Sequence, residues 1–165
     1  MPSGLPARDG RCSRPTFPAS RWSGPLGMPA TPIRQRPARI EWRQVDLLAR
    51  APEPGCFDLV SAQFLQLPPQ PRTRLFTALA AAVRDGGMLL VVGHHPSDLA
   101  TGVPRPPMPE LFYTPGDIAG LLDGSWTVEV CEARPRPAST PDGAEVTIHD
   151  TVLLATRPAV ASPPP

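Results

Sequence analysis

The stretch FDLVSAQFLQLPPQPRTRLFTALAAAVRDGGMLLVVGHH, residues 57–95, decides the fold. Phe57–Phe64 is a compact apolar run between Pro54-Gly55 and Pro68-Pro69. Its length and flanks predict a strand buried on both faces, the pattern of a parallel sheet. Pro71–Val83 follows, with Leu75, Phe76, Leu79, Ala82 and Val83 on one stripe of a helix. Pro71 suits the first turn of that helix, and Gly86 suits its end. Gly87–Gly93 is a second apolar run and predicts a second buried strand. Strand, helix and strand at this spacing make a right-handed βαβ unit with parallel strands.

Upstream, Ile40–Val45 alternates apolar and polar residues and predicts a short strand, with Ile40 and Trp42 on one face. Downstream, Pro96–Pro109 reads as a proline-rich loop. Thr114-Pro115-Gly116-Asp117 opens a short helix, with Thr114 as cap and Asp117 completing a capping box. Ile118, Leu121 and Leu122 form the buried edge of that helix, and Gly124 ends it. Trp126–Glu132 alternates as a strand, Arg134–Ala144 is a loop with an Asp142-Gly143 turn, and Glu145–Thr156 is a last long strand. No helix lies between these two strands, so they pair antiparallel. The class is α/β. In open α/β sheets ligands bind beyond the carboxyl ends of the parallel strands. Here those ends carry Asp46, the run Gln63-Phe64-Leu65-Gln66, and Gly93-His94-His95.

Composition separates the start of the chain from the rest. The 26 prolines and 13 glycines among 165 residues bring it near the low-complexity range. All 16 basic residues are Arg, the usage of a GC-rich bacterial genome. Residues 1–39 hold seven Arg and one acid; residues 40–165 hold nine Arg and 14 acids. Residues 1–38 have neither helical nor strand period and predict a disordered Pro/Arg-rich segment. Their composition is that of a wrong-frame translation of GC-rich DNA. Residues 159–165 predict a disordered tail. The N-terminal Arg set lacks interleaved aromatics and a recognisable motif, so no nucleic-acid partner is expected. The longest strongly apolar run, Met88–Val92, is too short to span a membrane, and no signal peptide is evident; a cytoplasmic protein is expected. Three cysteines, far apart and without a CxxC pair, predict neither a disulfide framework nor a Cys-based zinc site. Cys56 and Cys131 read as small core residues.

The ordered series RIEWRQVDLL, FDLVSAQFLQLPP, AAAVRDGGMLLVVGHH, LFYTPGDIAGLL, WTVEVCEA and HDTVLLATRP resembles class I S-adenosylmethionine-dependent methyltransferases. It is most similar to the small bacterial thiopurine and tellurite-resistance-like branch. The resemblance covers about residues 39–158, the C-terminal two-thirds of such a domain. It implies an incomplete Rossmann-like methyltransferase sheet with parallel strands and a C-terminal antiparallel hairpin. It also implies S-adenosyl-L-methionine as cofactor and a small-molecule methyl acceptor as partner. By resemblance Asp46 takes the adenine amino group, with Leu47 beside the ring, and Gln63 and Phe64 stand beside the methionine part. The glycine-rich turn after a first strand, and the carboxylate that holds the ribose, have no counterpart upstream of Asp46. A truncated enzyme is therefore expected, with a catalytically inactive α/β fragment or an interaction protein as the alternative.

Read without the resemblance, Asp46 is a turn-forming residue. His94 and His95 stand at the ligand end and are the candidate catalytic residues, one of them as general base; the alternative is that they are polar lining or cap residues. Neighbours on an extended chain point to opposite faces, so the two do not chelate one metal, and no metal site is predicted. Phe112 and Tyr113 either line an acceptor pocket or staple the following helix.

Overall fold

The computed structural model describes residues 40–159. The predictions for residues 1–38 and for the tail beyond Ala159 lie outside them. The chain divides into two compact units, Met1–Asp46 and Leu47–Pro165. Of the first unit, residues 40–46 are described. They form no strand: the alternation at Ile40–Val45 is present, yet the chain there has no regular hydrogen-bonded structure and Trp42 is 89% exposed. Alternation specifies a strand only when a neighbouring strand completes the ladder. Leu47–Arg50 then form a turn and bend directly after Asp46.

The second unit carries the sheet. Its elements are β1 (Phe57–Gln63), α1 (Pro69–Ala82), β2 (Val83–His94), α2 (Pro115–Ala119), β3 (Thr127–Ser139) and β4 (Glu145–Thr156). Two 3-10 turns, Pro96–Ala100 and Pro109–Leu111, occupy the predicted proline-rich loop. The sheet order is β1-β2-β4-β3. β1 and β2 run parallel; β2–β4 and β3–β4 run antiparallel. The βαβ unit and the closing hairpin are thus as the sequence predicts.

Several boundaries differ, and the larger differences have physical reasons. α1 begins at Pro69, two residues early, because first-turn N–H groups need no intrahelical acceptor and both Pro69 and Pro71 fit there. It ends without a glycine cap, since Gly55 N–H and Cys56 N–H donate to Ala81 O and Ala82 O at 2.9 Å and satisfy its last carbonyls. Gly86 serves the next element instead: at φ +73° it shapes an excursion in β2 between Val83 and Met88. α2 ends at Ala119 with Gly120 as cap, ahead of Gly124. β3 runs on through the predicted loop to Ser139, taking in Pro135 and Pro137. β3 is an edge strand, and prolines two residues apart turn the same side outward, where no ladder donor is needed.

Helix α1 and the Tyr113–Ile118 segment cover one face of the sheet. Leu75, Phe76 and Leu79 meet Ala62, Leu89, Val91, Leu153, Tyr113 and Ile118 in one core. β1, predicted to be buried on both faces, is instead an edge strand with Ala62 its only buried residue. Phe57, Leu59 and, next to it on β2, Met88 remain 41–49% exposed. Cys131, read as a core residue, is exposed on β3. Among the described residues no helix is long and apolar enough to cross a membrane.

Candidate functional site

The carboxyl ends of β1 and β2 lie side by side, because Gln63 pairs with Val92. Phe64 N–H donates to Val92 O at 2.7 Å and extends the ladder by one bond. The chain then breaks away at Phe64 with φ +52°, a left-handed conformation that costs a residue with a Cβ about 1–2 kcal/mol. That turn sets the Phe64 ring 4.8 Å from the His94 ring. On the other side of His94 stands the buried Phe112 ring, at 6.4 Å. The Gln66 amide joins these pieces: its nitrogen donates to Leu111 O and its oxygen accepts from His94 N–H at 3.1 Å. The loop bearing Phe112 is held from α1 by Arg72, which donates to Glu110 O at 2.7 Å. Arg72 also lies over the Tyr113 ring at 5.4 Å.

His94 is thereby wedged between aromatic rings. Burial holds its pKa below the ordinary histidine value, and the Arg105 cation adds to this. The imidazole is neutral at pH 7, and its Nδ1 is buried without a hydrogen-bond partner. His95 turns away from this wedge. Its Nδ1 accepts from Ser97 N–H at 3.2 Å, capping the first 3-10 turn, and lies 2.9 Å from Ser97 Oγ. Ser97 Oγ in turn lies 3.3 Å from His149 Nδ1 on β4. The two histidines thus serve opposite sides, as alternation predicts. Among the described residues no group of three metal-ligating side chains converges.

A buried ion pair supports the second side. Asp98 is fully buried, accepts from Arg105 Nη2 at 2.9 Å, and accepts from His149 N–H at 2.8 Å through its other oxygen. Next to it, Arg136 donates to Asp150 at 2.7 Å across the hairpin. Ser97, Asp98, Arg105 and His149 as a group are absent from the sequence reading. The signal that finds them is register: antiparallel pairing of β4 on β2 puts His149 beside His95, joined by a backbone bond of 3.1 Å.

The remaining predicted residues are placed as follows. Gln63 is exposed and donates to Ser61 Oγ at 2.7 Å. Leu47 is half-buried against the core. Asp46 is the exposed last residue of the first unit and precedes a turn. Tyr113 is a core residue, packed edge-on against Phe76 at 5.5 Å, so it anchors α2 rather than lining an open pocket. An open groove lined by Pro54, Gly55, Ala81, Arg84, Asp85 and Arg157 lies at the opposite end of β1. Its charges are already paired, Arg84 with Asp58 and Arg157 with Asp85.

No family model and no curated protein matches the sequence. Solved structures do. TehB from Haemophilus influenzae matches 70% of this chain with 40% of its own, at 16% identity and a TM-score of 0.51. A SAM-dependent methyltransferase from Methanosarcina mazei matches 70% with 66% of its own, at 15% identity and a TM-score of 0.47. A protein solved in work on conversion of a disulfide bond into a thioacetal group during echinomycin biosynthesis matches 72% with 56% of its own, at 16% identity and 0.46. The chain therefore spans between two-fifths and two-thirds of the length of these three structures. The likeness to TehB shows the fold: β1, β2, β4 and β3 form part of a methyltransferase-like sheet.

Proposed function

We propose that the second unit is the acceptor-side part of a small-molecule methyltransferase that uses S-adenosylmethionine. The observation that carries this reading is the crowding of Phe64, His94 and Phe112 at the ligand end of a TehB-like sheet. Methyl transfer asks the protein mainly for proximity and alignment, and a wall of rings at a strand end supplies both.

By resemblance Gln63 and Phe64 belong beside the methionine part of such a cofactor, and both are exposed at the end of β1. Among the described residues no glycine forms a ligand cradle. A Cβ built on Gly93 would meet Tyr113 Cζ at 2.7 Å, and one on Gly87 would meet Val83 Cγ1 at 2.8 Å, so these bare glycine faces serve packing rather than a ligand. A single charge-assisted bond at Asp46 contributes about 1.5–3 kcal/mol, short of the ~8 kcal/mol of micromolar binding.

Calorimetry with S-adenosylmethionine tests the reading. The 165-residue chain is expected to bind weakly or not at all. A chain in which residues 39–158 follow an apolar strand and glycine-rich turn is expected to bind, and to lose about tenfold or more in affinity on Asp46→Ala. Failure of that longer chain to bind overturns the methyltransferase reading. Tight binding by the 165-residue chain overturns the account of the missing cradle.

A further inference from the structure

We propose that His149, rather than His94 or His95, is a proton acceptor on the His95 side of the β2 end, away from the Phe64–His94 wedge, and that Ser97 sets its tautomer. The inference takes its acceptor from the methyltransferase reading; the tautomer stands on the hydrogen bonds alone.

The bond directions settle in sequence. Ser97 N–H donates to His95 Nδ1, so that nitrogen carries a lone pair and the proton of neutral His95 is on Nε2. A bare Nδ1 cannot donate, so in the 2.9 Å contact Ser97 Oγ–H is the donor. The hydroxyl hydrogen is then committed, and Ser97 Oγ meets His149 Nδ1 as an acceptor. His149 therefore carries its proton on Nδ1 and a lone pair on Nε2. Fixing one ring nitrogen by a hydrogen bond is the usual means by which a protein selects the reactive nitrogen of a histidine.

The surroundings hold His149 in place and leave Nε2 available. Asp98, neutralised by Arg105, takes the His149 backbone N–H, and His149 O accepts from His95 N–H at 3.1 Å. Asp150, the next residue on β4, is paired with Arg136 of β3. Across the ladder stands Pro135, which carries no charge. Among the described residues Nε2 has no hydrogen-bond partner, and it is not among the buried unpartnered atoms, which are His94 Nδ1, Tyr113 OH and Asp150 Oδ1. A protic acceptor, a weakly acidic hydroxyl or thiol, fits this arrangement. Its X–H bond breaks, the proton joins Nε2, and the electron pair stays on X as the nucleophile. The imidazolium keeps its Nδ1–H on Ser97 and later returns the Nε2 proton to solvent. Ser97 is a positioning residue in this scheme.

Two measurements on the full chain decide it. Long-range proton–nitrogen spectra of the imidazoles are expected to show His149 protonated on Nδ1, opposite to the common tautomer. Ser97→Ala is expected to return it to Nε2–H, and Ser97→Thr to restore it. His149 on Nε2–H in the native chain, or no response to Ser97→Ala, overturns the tautomer assignment. The second measurement titrates 4-nitrophenol, followed by the absorbance of its phenolate. Its apparent pKa in the presence of saturating protein is expected to fall by about one unit, a tenfold change in the proton equilibrium, and to return to the free value with His149→Gln. A shift that survives His149→Gln, or no shift in the native chain, overturns the proton-acceptor role. Neither measurement involves S-adenosylmethionine, so failure here is separate from failure of the calorimetry.

Discussion

The hydroxyl end of Tyr113 lies against the bare Cα of Gly93: a Cβ there would run into the phenol oxygen and meet Tyr113 Cζ at 2.7 Å and Cε2 at 3.2 Å. The fit joins α2 to the middle of the sheet, since Thr151 Oγ–H on β4 donates to Tyr113 O at 2.6 Å. Burial pushes the phenol up to about 12, and its hydroxyl has no partner. Gly93→Ala is expected to cost about 1–3 kcal/mol by overpacking. Tyr113→Phe removes a buried unsatisfied donor and keeps the ring, so stability is expected to hold or rise by up to about 1 kcal/mol. Urea unfolding of both variants checks this, and a marked loss in Tyr113→Phe would show an unseen partner for the hydroxyl.

Arg105 and Asp98 form the one ion pair of the site with both side chains largely withdrawn from solvent. Arg105→Met leaves a fully buried carboxylate uncompensated and is expected to destabilise by about 3–5 kcal/mol. The double variant Asp98→Leu with Arg105→Met is expected to recover part of that loss. A double-mutant cycle read by denaturant midpoint measures the coupling. Additive effects of the two changes would contradict it.

His94 sets an acid limb. Its folded pKa lies below the unfolded value near 6.5, chiefly through burial. The unfolded chain therefore takes up the proton first as pH falls. Stability is expected to be complete above about pH 7 and to decline as pH drops through 6.5 toward the lowered folded pKa. His94→Phe is expected to flatten that window in thermal melts across pH. An unchanged profile would place the linkage elsewhere.

Thr114 and Asp117 close α2 with a reciprocal box: Thr114 Oγ1 accepts from Asp117 N–H at 3.2 Å, and Asp117 Oδ2 accepts from Thr114 N–H at 2.7 Å. Thr114→Ala is expected to cost about 1 kcal/mol, seen as a lower urea midpoint at unchanged slope. The Thr114 hydrogen bond lowers the Asp117 pKa, so the stability it adds is present above the unfolded carboxylate value and is lost as pH falls through the lowered one.

Local chemistry made this box legible in the sequence, since Thr, Pro and Asp at fixed offsets suffice. The same holds for α1 and for β4, whose bounds Glu145–Thr156 are those predicted. The misses share a cause, for each depends on a neighbour distant in sequence. Ile40–Val45 alternates as a strand does but lacks a described strand to pair with. Pro135 and Pro137 read as loop, although an edge strand accepts them. Phe57–Phe64 reads as fully buried because a run of apolar residues does not record which strand lies beside it. In the site, Phe64 and His94 were legible from the strand-end rule. Ser97 and His149 were not, because their union rests on the β2–β4 register.

Phe57, Leu59 and Met88 give β1 an open, apolar border. Dye binding by this surface and concentration-dependent sedimentation are expected, and Leu59→Lys is expected to reduce both. Monomeric, dye-free native protein would contradict this.

The two borders of the sheet are not alike. Along β3, Pro135 and Pro137 withhold N–H groups, and Glu132, Arg134 and Arg136 add charge. Along β1 the row of backbone groups is intact. A ribbon receptive on both sides can add subunits without limit; among the described residues this sheet has one receptive side. Two copies that meet through β1 by a two-fold axis consume the receptive side of each and present only proline-blocked sides outward. Self-association by that route closes at a pair and does not propagate into a fibre.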